Sequence, residues 1–206
     1  VLPLGRHLRV CAIGDIVHEK NTGFIAELKT YIESKGNKFI GFSRGYDIDC
    51  DRSPELIPAA KGLVRDADIV LLFLGLGEKR ERSSHKTKSI SIPANQQELL
   101  SNLAIYRHKI VAITPPEACV DIVMTDNCAA IMQLPIDLAD SARAVAMLIS
   151  GDFNPCGRLA STVYTNTDRE YIKYKTHRER DGIKTASFIG YRYYDKHPEE
   201  INYPFG

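Results

Sequence analysis

Six apolar residues in a row, Ile69 to Leu74 (IVLLFL), constrain this 206-residue chain more than any other stretch. The run is too short to cross a membrane, and it carries no polar face. It predicts a strand buried on both sides, as in parallel sheets covered by helices above and below. The next residues are as informative. Gly75 to Ser91 is a long polar loop in which Glu78 and Glu81 stand among Lys79, Arg80, Arg82, Lys86 and Lys88. Pro93 then opens a helical pattern with Gln96, Leu99, Leu100 and Leu103 on one side. Open α/β sheets place their sites where loops leave the C-terminal ends of strands, so this loop is the first candidate site.

The rest of the chain repeats the same alternation. Leu8 to Ile13 reads as a strand ending at Gly14-Asp15. Asn21 or Thr22 can cap a helix whose Phe24, Ile25, Leu28, Tyr31 and Ile32 share a face, with Gly36 ending it. Lys38 to Phe42 is a second strand. Ser53-Pro54 reads as an N-cap and first helical position before the stripe Leu56, Ile57, Ala60, Leu63 and Val64. Pro58 inside that stripe is expected to remove one helical hydrogen bond and kink the first turn. After the Pro93 helix, Ile110 to Thr114 is a strand, Pro115 to Asn127 is irregular with room for a short helical turn, and Ala129 to Leu134 is a strand. Ser141 caps a helix carrying Val145, Leu148 and Ile149, which the turn at Gly151–Pro155 terminates. Arg158 to Tyr164 reads as a last strand, antiparallel at the sheet edge.

A strand–helix repeat of about thirty residues is the βαβ signature. The expected fold is α/β: a mostly parallel, about six-stranded sheet sandwiched between helices over residues 1–165. From Asn166 the character changes. Aromatics and charges alternate without helical or strand period, and Tyr171, Tyr174, Tyr191, Tyr193 and Tyr194 are too many for a solvated spacer. Residues 166–206 are expected to form an extended tail packing on a domain surface.

Charge and cysteine usage narrow the function classes. Lys+Arg is 27 against Asp+Glu 26, so no basic surplus argues for nucleic acid. No apolar run approaches a membrane span. The five cysteines include no C-x-x-C and their number is odd, which favours a reduced, intracellular setting, with two distant disulfides and one free thiol as the alternative. Cys11 sits in a strand pattern, as a small hydrophobe would. The six histidines show no ligand spacing, so no metal is expected. The start lacks both an initiator Met and a leader pattern, and the end stops just past a Pro-aromatic-Gly turn. Both ends read as cuts in a longer chain, and a cytoplasmic location is the expectation.

Gly75-Leu76-Gly77 lacks the third glycine of a dinucleotide loop, and the chain contains neither G-x-x-x-x-G-K-[ST] nor G-x-S-x-G. No cofactor is expected. From fold class alone a flavin or nucleotide binder stays open. Glu78 and Glu81 are either a tuned general acid/base or solvated members of a charged loop. Their cationic neighbours favour ionised carboxylates, the wrong direction for a general acid, which a desolvating partner surface would have to reverse.

Several stretches together resemble the second domain of glycoside hydrolase family 3. They are ADIVLLFLGLGE, SIPANQQELL after a charged loop, GDFNPCGRLAST, GYRYYD and YPFG, in the family's order, with Leu2-Pro3-Leu4 at the entry. Asp152-Phe153-Asn154-Pro155-Cys156-Gly157-Arg158-Leu159 is the most specific piece. The resemblance implies a domain that packs on a TIM-like barrel. The barrel supplies an aspartate nucleophile, and this domain supplies the general acid/base of a retaining two-carboxylate mechanism. Nothing in the chain looks like the barrel or its nucleophile motif. The implied substrates are terminal β-linked sugars, β-glucosides first. Glu81 is the first choice for acid/base and Glu78 the second, with Arg82, His85 and Lys86 bordering the substrate entrance.

The likeness breaks in the loop itself. Where the family reads E-x-E-G-x-D-R, this chain has Glu81-Arg82-Ser83-Ser84-His85-Lys86-Thr87. Ala160 replaces a proline, Pro135–Asp140 a glycine-rich turn, and residues are added between Gly182-Ile183 and Gly190-Tyr191. The alternative expectation is therefore a non-catalytic carbohydrate-binding or scaffolding module with a degenerate acid loop. Without its barrel the fragment is expected to be inactive and to self-associate through exposed aromatics.

Overall fold

The computed structural model of the chain describes residues 7–15, 23–75, 91–115, 122–134, 140–165 and 191–206. Five parallel strands form its centre: β1 (Arg9–Ile13), β2 (Lys38–Ser43), β3 (Ile69–Phe73), β4 (Ile110–Thr114) and β5 (Ala130–Gln133), in the order β2-β1-β3-β4-β5. The long apolar run supplies the middle strand. Its side chains alternate between two cores. Val70, Leu72 and Leu74 join Cys11 and Ile13 on one side, facing α2 (Ile57–Asp66) and α3 (Ala94–Leu103). Leu71 and Phe73 join Val10, Ala12 and Ile113 on the other, facing α1 (Phe24–Ser34) and α5 (Ser141–Ser150). A short helix, α4 (Ile122–Asn127), precedes β5, in the irregular stretch that left room for a helical turn. The α/β sandwich is as the alternation predicts. Cys11 is fully buried, and that burial pushes its thiol up to about 12.

Three local expectations change. Asn21 and Thr22 lie outside the described residues, and α1 starts after Gly23 with no side-chain cap. Pro54 begins a single 3-10 turn, Pro54–Leu56, and α2 follows it. Pro58 thereby falls in the first turn of α2, where a missing N–H removes no helical bond, so no kink is required. The N-cap of α5 is Asp140, one residue before the expected Ser141. Gly151, at φ +78°, ends that helix: the Asp152 N–H donates to the Met147 carbonyl at 3.0 Å, a left-handed C-terminal closure that glycine allows.

The last expected strand is shorter and elsewhere. Of Arg158 to Tyr164, only Val163–Tyr164 (β6) is extended and paired. It pairs antiparallel with β7 (Ile201–Tyr203) in a separate two-stranded sheet, not with the edge of the parallel sheet. The reason lies in the preceding segment, which runs largely exposed from Gly151 to Ser161 and makes no ladder with β5. Between the two strands in sequence, the one-turn helix α6 (Tyr191–Tyr194) buries Tyr194 against Tyr164, ring centroids 4.7 Å apart. Tyr171 and Tyr174 lie outside the described residues. Among the described residues no helix is long and apolar enough to cross a membrane.

Candidate active site

The strand order reverses between β1 and β3, so the crevice that an open α/β sheet offers a ligand lies beyond the C-terminal ends of these two strands. Gly14 and Gly75 are the residues at that point. A side chain on Gly14, at φ +144°, would sit 2.7 Å from the Phe73 carbonyl oxygen, so only glycine lets the two strand ends approach. The polar loop read from the sequence leaves at Gly75. Glu78, Glu81, Arg82, His85 and Lys86 all fall at 76–90, outside the described residues. The structure shows the frame from which that loop departs and to which it returns.

One side of the frame is ionic. Asp15 is 6% exposed. The Arg44 guanidinium donates to it from Nε at 3.1 Å and from an Nη at 2.6 Å, and the Ile48 N–H adds a third bond at 2.9 Å. Arg44 also pairs with Asp47 at 3.3 Å. The Asp49 N–H and then Arg44 hold the Asp47 carboxyl below its ordinary range, and the bond to Asp15 raises Arg44. Between these residues Gly45 turns at φ +68°, where a Cβ would meet the Ile13 methyl at 2.6 Å. Tyr46, raised by burial, donates its hydroxyl to the Phe73 carbonyl at 3.0 Å.

The other side is neutral. Asn95, Gln96 and Gln97 stand in the first turn of α3. Asn95 Nδ2 donates to the carbonyls of Asp47 and Cys50 at 2.7 and 2.9 Å. Gln96, fully buried, accepts the Gly75 N–H at 3.2 Å and donates to the Gly75 carbonyl at 2.6 Å. Gln97 donates to the Ile92 carbonyl at 2.8 Å.

Sequence reading counts Gln96 in an apolar stripe and passes over Asn95, Gln97, Asp15, Arg44 and Asp47. A signal was present for Gln96: an amide in a core stripe must find partners for both ends. Among the described residues, His197, Glu199 and Glu200 bring possible metal ligand atoms within 4.8 Å of one another. They lie beside β7, in the C-terminal segment rather than at the ends of β1 and β3.

A family model described as the glycosyl hydrolase family 3 C-terminal domain matches residues 1–206. The chain belongs to this family. Among curated relatives, it is 29% identical over 168 residues to thermostable β-glucosidase B of Acetivibrio thermocellus, covering 80% of this chain and 22% of that protein. It is 27% identical over 169 residues to an exo-α-(1→6)-L-arabinopyranosidase of Bifidobacterium longum, again 80% of this chain and 22% of the relative. The chain thus spans about a fifth of the length of these family 3 proteins. Among solved structures, a family 3 β-glucosidase of Bifidobacterium adolescentis superposes with a TM-score of 0.76 at 27% identity, covering 99% of this chain and 32% of that one. A β-D-glucoside glucohydrolase of Trichoderma reesei shares the fold at TM-score 0.69 and 13% identity, covering 100% of this chain and 33% of that one.

Proposed function

We propose that this family 3 domain is the acid/base-supplying part of a retaining β-glycosidase acting on terminal β-linked sugars, β-glucosides first. The observation that carries the reading is the family match over residues 1–206, with a Glu-bearing loop leaving β3 where the strand order reverses. Glu81, or Glu78 in its place, protonates the glycosidic oxygen as the bond breaks. It then takes a proton from the water that opens the glycosyl-enzyme intermediate. The nucleophilic carboxylate comes from a barrel domain of the parent chain, and Arg82, His85 and Lys86 border the sugar entrance. Packing against the barrel removes water from the loop and keeps the acid protonated despite its cationic neighbours.

With half of the carboxylate pair elsewhere, the 206 residues alone do not turn over substrate. Their exposed Phe153, Tyr191 and Phe205 offer an apolar surface that the parent covers, or that a second copy covers when the parent is absent. Residues 166–206 are the tail that packs on a domain surface. The loop's departure from E-x-E-G-x-D-R favours one second reading, a carbohydrate-binding or scaffolding module with no acid/base role.

The test is an aryl β-glucoside assay, with an aryl α-L-arabinopyranoside alongside, on the parent chain and on this domain. The parent should be active and the domain silent. Glu81→Gln should lower activity by about 10²–10⁴-fold. Azide, a nucleophile that needs no general base, should restore turnover. Full activity after Gln replacement of both Glu81 and Glu78 would leave the non-catalytic reading standing.

A further inference from the structure

We propose that the carboxamides of Asn95, Gln96 and Gln97 are positioning residues that fix both stems of the acid-bearing loop and the neighbouring β2–α2 loop to one helical turn. The inference rests on the reading of that loop as the acid/base carrier. Three consecutive amides bind three different stretches of backbone. Gln96 closes a two-bond ring with Gly75, the first residue of the loop. Gln97 holds the carbonyl of Ile92, just after it. Asn95 holds the carbonyls of Asp47 and Cys50, and its own Oδ1 accepts the Gln96 N–H at 2.9 Å. The turn that carries them is anchored in turn, because Leu99, Leu100 and Leu103 of the same helix are fully buried.

The chemistry selects an amide. Gly75 presents one donor and one acceptor beyond the last ladder bond, which runs from Leu74 N–H to the Ile113 carbonyl. A carboxamide matches both at once through two different atoms; a carboxylate lacks the donor and an apolar side chain lacks both. A buried glutamine is unfavourable unless both ends are bonded, and here both are. The hold is also uncharged. A Lys or Asp in that place would move the proton affinity of a nearby general acid, whereas an amide sets geometry and leaves the charge balance alone.

The test uses the parent enzyme and two readouts. One is kcat/KM on a series of aryl β-glucosides whose leaving phenols differ in acidity. A misplaced acid hurts poor leaving groups, which need a proton, and spares 2,4-dinitrophenolate, which does not. Gln96→Leu should lose about 10²-fold on the phenyl glucoside and less than about 5-fold on the dinitrophenyl glucoside. Gln97→Ala, at a half-buried position, should show the same pattern at about 10-fold if the core variant fails to fold. Equal losses on all substrates would overturn the inference.

The second readout is hydrogen exchange. The Gly75 amide should exchange at least about 10-fold faster in Gln96→Leu while the β4 amides are unchanged. Unchanged exchange at Gly75 would also overturn the inference. Glu81→Gln and Glu78→Gln are run beside these. If neither shows leaving-group dependence, the catalytic reading fails, and exchange at Gly75 still decides whether the clamp exists.

Discussion

The corner formed by β1 and β2 and the corner formed by β3 and α3 lie side by side at the C-terminal edge of the sheet, held by different chemistry. The first uses Asp15, Arg44 and Asp47, a paired set of charges with one carboxylate nearly buried. The second uses Asn95, Gln96 and Gln97, with no charge at all. The difference tracks the neighbours of each corner. A unit charge about 4 Å from a titrating carboxyl is worth about 4 kcal/mol at the effective dielectric of a protein surface. That is on the order of three pK units. Among the described residues the charges of the ionic set pair with one another beside β1 and β2. The amide set stands where the loop with Glu78 and Glu81 begins and ends, and it can hold that loop without retuning it.

The contrast is sharpest in stability against salt. Gln96→Leu leaves the Gly75 N–H and carbonyl buried and unbonded, and should destabilise the fold by about 3 kcal/mol. Added salt should not change that figure, because no charge is involved. Arg44→Met leaves Asp15 in its buried site with the Ile48 N–H as its remaining bond among those described. Breaking a buried pair from one side is expensive, but Arg44 is itself half exposed and solvent screens it. About 2 kcal/mol at low salt is expected, shrinking toward about 1 kcal/mol as salt is raised. Urea unfolding of both variants at two ionic strengths checks the pair. Equal salt sensitivity would remove the distinction between the corners.

How much of this was legible in the sequence differs between the two corners as well. The strand alternation, both helical layers and the departure of the loop from β3 follow from local periodicity, which the chain carries within short windows. The amide corner was half visible: Gln96 in line with Leu99, Leu100 and Leu103 is a polar residue at a core position. Its partner, Gly75, is 21 residues away and had to be found in space. The ionic corner was not visible, because Asp15 and Arg44 are 29 residues apart and nothing local aims one at the other. The last strand failed for the same reason. The two residues of β6 find their partner far along the chain, at Ile201–Tyr203, and so short a strand has no period to read. The loop after β3 stood out as a candidate from its place behind a buried strand, the family pattern gave it an expected role, and its charges, which are local, are the part that departs from that pattern.

A third ion pair, at the N-terminal ends of β1 and β3, gives the smallest effect and the cleanest sign. Asp68 accepts from Arg9 Nε at 3.1 Å, from an Arg9 Nη at 2.9 Å and from the Arg9 N–H at 2.8 Å. These bonds hold its carboxyl down at about 2. In the unfolded chain it titrates near about 3.9, so the native state binds fewer protons over this interval. The contribution is therefore complete above about pH 4 and is lost as pH falls toward about 2. Its size is well below that of the Asp15 pair, because the Asp68 side chain is 35% exposed where Asp15 is 7%. The gap in urea midpoint between wild type and Asp68→Asn should be constant from about pH 7 to pH 5, then narrow as pH drops to about 3. A gap that holds its width down to about pH 3 would mean that the bonds to Arg9 do not favour the ionised carboxylate in the folded chain. The same pairing would then matter only where the carboxylate is buried, as it is in the β1–β2 corner.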